Sequence, residues 1–175
     1  MIRPLVALFA VLLLLPTPLQ AGGSGIRAEL SAFPGVEKTG PIWRVPLPEG
    51  VTMQEAEESL ETGTGGHNLY IANRFTLGSA IAKRRHAPFP AYNIYHLCNL
   101  TVGAQILDVE PLMGAYMPCK VVIYEDAASH RLFALHYDTV HALRHFPGLD
   151  ADASQAVRRI TDGILSILLD MAEGM

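Results

Sequence analysis

Apolar residues run unbroken from Leu5 to Leu15, eleven in all, and nowhere later is such a run approached. Arg3 precedes the run, Pro16 and Pro18 break it, and Leu19-Gln20-Ala21 ends in a small residue, which together read as a secretory signal peptide over residues 1–21. As a helix the run would span roughly 17 Å, short of the ~30 Å of hydrocarbon that a spanning segment must cross. Gly22–Gly40 then shows no sustained period and is punctuated by Pro34, with Pro41 directly after it, so a flexible leader is expected over 22–40. A single domain should occupy 41–175.

Within that domain the period alternates. Ile42–Leu47 predicts a strand that Pro46 confines to an edge or an end. Thr52 and Glu55 have capping-box spacing, with Met53, Ala56 and Leu60 on one helical face, and Gly63-Thr64-Gly65-Gly66 is expected to stop that helix. Leu69–Ala72 predicts a short strand and Leu77–Arg85 a short helix ending in basic residues. Ala91–Cys98 reads as a strand, Val102–Val109 as a helix stopped before Pro111, and Lys120–Tyr124 with Arg131–Tyr137 as a hairpin around a polar turn. A short helix is expected over Thr139–Phe146. The longest helix follows, with Asp152 and Gln155 as its capping pair and an apolar stripe of Val157, Ile160, Ile164, Ile167, Leu168 and Met171. This order predicts an α+β two-layer sandwich, a mixed sheet with helices packed on one face and a long C-terminal helix.

Composition narrows the partners. The chain has 175 residues, 50% of them hydrophobic, and a formal net charge of −4. Arg3 is the one charged side chain of the signal segment, so 12 basic and 17 acidic residues would remain after cleavage, a net of −5. A mildly acidic chain without a basic block is not built for nucleic acid, which demands clustered Lys and Arg. Once cleaved it should be soluble, with no membrane association, and periplasmic or secreted, where disulfides persist. No cysteine follows the apolar run to carry a lipid anchor.

The residues with chemistry to offer are few. Cys98 and Cys119 are the two cysteines, each at a strand boundary. Antiparallel strands would put both at one edge of the sheet, whereas parallel strands would separate them by roughly 20 Å, too far for a bond that needs Cα atoms within about 7 Å. A disulfide, two small buried hydrophobes, and a thiol, metal or cofactor site all stay open. Strand alternation puts His96 on the face of Cys98, and helical spacing puts His141 with His145. Imidazole and thiolate together suit zinc, copper or haem iron, so His96, Cys98, His141 and His145 are the metal or haem candidates. No phosphate loop or serine-nucleophile elbow is present, which leaves no catalytic residue to nominate.

Tyr92-Asn93-Ile94-Tyr95-His96-Leu97-Cys98-Asn99, followed by Gly114-Ala115-Tyr116-Met117-Pro118-Cys119 and a strand ending Tyr124-Glu125, resembles the DUF302 family. Its members show a Cys-Asn after one strand and a Pro-Cys opening the next. The resemblance implies a small α+β domain of no established biochemical role, with a homodimer as one implied assembly, and it nominates Cys98, Asn99 and Cys119 as thiol or ligand residues. Leu100 and His96 depart from the family's usual residues, so any use of His96 would belong to this chain's subgroup. Two functions follow as expectations. One is a non-enzymatic exported accessory protein that binds a small ligand, cofactor or protein partner; the other is a thiol redox protein using Cys98 and Cys119.

Overall fold

The computed structural model describes residues 25–175. The signal-peptide reading for 1–21 therefore lies outside the described residues. The expected leader does not hold from Gly25 onward. A helix, α1 (Gly25–Ala32), and a short strand, β1 (Glu37–Thr39), belong to the fold, and Leu30 is completely buried. What holds α1 is tertiary. The Arg27 guanidinium donates to Asp138 at 3.1 and 3.2 Å and also reaches Asp162. Neither partner is near in sequence, so a scan for local period does not register it.

The remaining elements are β2 (Ile42–Pro46), α2 (Met53–Gly66), β3 (Tyr70–Thr76), α3 (Leu77–Arg85), β4 (Tyr92–Cys98), α4 (Leu100–Val109), β5 (Cys119–Glu125), β6 (Leu132–Tyr137) and α5 (Ala151–Glu173). Two 3₁₀ segments, Pro111–Tyr116 and Thr139–His145, complete the order. The expected short helix at 139–146 is thus a tighter turn. The six strands lie in the order β1-β2-β6-β5-β4-β3, and every neighbouring pair is antiparallel. The α+β sandwich stands, but the sheet is antiparallel rather than mixed. Four of the five connections join neighbouring strands, and the fifth, from β2 through α2 to β3, passes over β6, β5 and β4.

Thr52 and Glu55 form the expected reciprocal cap on α2. The glycines after it do not stop the helix: they form its last turn, with His67 as the cap. Gly63 has a packing reason to be there, because a Cβ would meet Ile167 Cγ2 at 2.8 Å. A side chain would push α2 off α5. The N-cap of α5 is Asp150, whose carboxylate accepts from Ala153 N at 2.7 Å, two residues earlier than expected. The α5 stripe supplies the centre of the core. Ile164, Leu165, Ile167 and Leu168 are wholly buried among Trp43, Leu60, Leu97, Val121 and Ile123. No helix among the described residues is long and apolar enough to cross a membrane.

Candidate functional site

Cys98 closes β4, Asn99 caps α4, and the chain returns through Pro111–Tyr116 and a cis Met117–Pro118 peptide to Cys119, which opens β5. The strands are antiparallel and both cysteines lie at one end of the sheet. Even so, both are free. The register is the reason. Leu97, not Cys98, stands opposite Cys119, so alternation turns Cys119 toward the helices and Cys98 toward the other side. Of the three readings open for this pair, the disulfide is absent because of this one-residue offset.

The two thiols differ in surroundings. Burial pushes the Cys119 thiol up, the Thr139 hydroxyl at 3.8 Å pulls the other way, and Cys98 raises it further. Cys119 is therefore a protonated thiol at neutral pH. Cys98 stands opposite Tyr70 across the β3–β4 pair at the open end of the sheet. Asn99 spends both ends of its amide on structure: Oδ1 accepts from Val102 N at 3.0 Å and Nδ2 donates to Asn68 O at 2.8 Å. The Asn of the Cys-Asn pair is a helix cap.

Behind the cysteines lies an apolar cleft between α4, α5 and the end of the sheet, about 430 Å³ of empty space counting the part open to solvent. Both cysteines line it, with Val102, Ile106, Met113 and Met117. Its polar wall groups are turned away. The Thr161 hydroxyl donates to Val157 O at 2.9 Å and the Thr139 hydroxyl to Tyr137 O at 3.4 Å. Only about 30 Å³ of the cleft admits the centre of a water molecule. That is room for a water or two, so a larger guest must displace the methionines, whose unbranched side chains yield most readily.

The histidine set does not converge. His96 shares the face of Cys98 and sits 3.3 Å from Asn73 Nδ2. His141 and His145 lie on a 3₁₀ turn, where three residues complete a revolution, so a spacing of four no longer gives one face. His145 instead accepts from Arg144 Nε at 3.1 Å. Among the described residues no group of three or more His, Cys, Asp or Glu is placed to hold a metal ion.

Two polar clusters escaped the reading of the sequence. Glu57 Oε1 on α2 accepts from Tyr95 OH at 2.6 Å, Asn93 Nδ2 at 2.8 Å and Arg74 at 2.5 Å. Burial and that carboxylate push the Tyr95 phenol far up. His136, completely buried on β6, donates from Nδ1 to Lys120 O at 2.9 Å, while its Nε2 finds no partner. Burial holds its pKa below the ordinary 6.5, against the pull of Lys120 O and Asp138. Asp138 beside it accepts from Arg27 and from Trp43 Nε1 at 3.4 Å. Strand alternation carries the signal for these residues: Asn93, Tyr95 and His136 stand at inward positions between Leu97, Ala134 and Leu132. An inward polar side chain implies a buried partner.

A family model described as a domain of unknown function, DUF302, matches residues 43–167. An uncharacterized protein of Aquifex aeolicus (strain VF5) is 27% identical over 77 residues, 44% of this chain and 47% of that protein. The match thus spans about half the length of that curated relative. The crystal structure of an uncharacterized conserved DUF302 protein from Bacillus stearothermophilus superposes with a TM-score of 0.65 at 17% identity. It covers 76% of this chain and 99% of that one, a likeness of fold.

Proposed function

The chain belongs to the DUF302 family, and we propose that this member is an exported, non-enzymatic accessory protein whose apolar cleft takes a small, largely apolar ligand. The observation that carries the reading is the character of the cleft wall. Its aliphatic and methionine lining, with the threonine hydroxyls bonded to backbone carbonyls, follows the pattern of ligand pockets, apolar with few polar groups. The two thiols are the groups left to orient a guest. Among the described residues no complete nucleophile–base pair surrounds them, which favours binding over turnover.

The test uses the purified protein with the fluorescent probe ANS, read alongside native mass spectrometry for any retained ligand. Saturable binding that Val102→Trp abolishes by filling the cleft supports the reading. A bare chain whose probe signal is unmoved by Val102→Trp overturns it. Export is tested separately by the N-terminal residue of the protein recovered outside the cytoplasm, expected at Gly22.

A second reading, thiol redox through Cys98 and Cys119, rests on both thiols lining the same cleft. A thiol beside the start of α4 and a second one on the helix side of the sheet would suit attack and resolution. The raised Cys119 pKa weighs against it. Thiol counting across a redox titration separates the two: two thiols that persist under oxidising conditions end this reading and leave the binding one intact.

A further inference from the structure

One side chain ties the two walls of the cleft together from behind. On the α5 side the wall carries Val157, Ile160 and Thr161; on the sheet side it carries Cys119 and Thr139. Asp162 directly follows Thr161, and Asp138 directly precedes Thr139. The Arg27 guanidinium, carried by α1, bonds to both aspartates at once. The wall threonines take no part in that tie, since each gives its hydroxyl to a carbonyl of its own segment.

The two ends of the tie differ. The Asp138 side chain is 3% exposed, takes two bonds from Arg27, and is fixed further by Trp43 Nε1 and by Val140 N at 3.1 Å. The Asp162 side chain is 19% exposed and meets the guanidinium through Nη1. A carboxylate within reach of water is released at small cost, whereas a buried one stripped of its partner is strongly destabilising. Parting at Asp162 leaves Arg27 on Asp138, so no buried charge is stranded. Position adds leverage. Asp162 lies between the cleft wall, which ends at Thr161, and Ile164, where α5 is already anchored in the main core.

We propose that Arg27 is a clasp on the cleft. While it holds Asp162 the walls stay closed on the small space inside, and its release from Asp162 lets the α5 wall part from the sheet end and admit a guest. The helix α1 is the mount of this clasp and does not itself move, because Leu30 and Ile26 pack into the main core. The clasp governs opening whatever enters, so its test needs no ligand with affinity for the cleft.

That test is pulse labelling of Cys119 with iodoacetamide in the purified native protein, read by mass spectrometry with Cys98 resolved on its own peptide. Arg27→Met should speed labelling of Cys119 by about 10-fold or more and leave Cys98 nearly unchanged. Asp162→Asn, which keeps the bond to Asp138, should speed it by about 3-fold or more. In both, the gain should exceed what the loss of global stability in urea accounts for, as local opening requires. Should Arg27→Met fail to fold, Asp162→Asn decides alone. A wild-type Cys119 rate in either folded variant, or a rise that only keeps step with lost stability, overturns the proposal. Failure of ANS to bind would end the apolar-ligand reading and leave this result standing.

Discussion

The main core and the cluster beside the cleft are packed by different means. In the main core, α5 lies against four strands' worth of inward aliphatics and is flanked by α1 and α2, so its buried residues are fixed from every side. The cluster of Ile106, Met113, Ala142, Ala156 and Val157 is enclosed instead by α4, two 3₁₀ segments and the first half of α5. No strand of the sheet supplies one of its buried residues. Strand ladders tie distant segments together through backbone bonds, and short turns do not. A fold can therefore keep one region rigid while leaving a neighbouring one able to admit a guest.

Breaking the rigid region should cost most. Leu168→Ala, in the centre of the main core, should lower unfolding free energy by about 4 kcal/mol in urea titrations. Met113→Ala, next to the cleft, should cost about 2 kcal/mol, because the neighbouring Met117 can move into the space. It should also increase ANS binding. Equal costs would erase the distinction between the two regions. Gly63→Ala sharpens it from the α2 side. The new methyl would meet Ile167, so a loss of about 1–2 kcal/mol is expected despite the better helix propensity of alanine.

A smaller effect is tied to pH. The folded His136 resists protonation, whereas the unfolded one takes up a proton near 6.5. Stability should be fully present above that value and fall as pH drops below it, by at most about 1.4 kcal/mol per pH unit from this group. His136→Leu should flatten the midpoint of urea unfolding against pH in that window. Asp138 adds its own loss at lower pH. Burial would raise its pKa, but Arg27, Trp43 and Val140 hold it below the usual carboxylate value of 3.8, so its contribution is lost only as pH falls through that range. The smallest perturbation involves no change of stability. Cys98 should react with a thiol reagent in the native protein well before Cys119, a contrast read by mass spectrometry after a short pulse. Equal labelling would show that the cleft opens freely.

Much of the framework was legible along the chain. The Thr52–Glu55 capping pair, aromatic and β-branched runs, and the stripe from Val157 to Met171 depend on neighbours within a few residues, and those elements appear where expected. The site was legible in part. Cys98 and Cys119 do line one cleft, but the one-residue register offset that turns them apart depends on strand pairing. The helical face assumed for His141 and His145 failed because the segment tightens into a 3₁₀ turn. Glu57, Arg27 and His136 were missed because each has its role through a residue remote in sequence.

Local pattern by itself determined the elements, the two-layer class and the family, since all three are carried by residues close together in the chain. Pairing direction, the cleft and the inclusion of α1 were decided by tertiary structure alone. Each of these depends on which distant segments come to lie side by side, and backbone hydrogen bonds between strands are made without regard to the side chains that a linear pattern records.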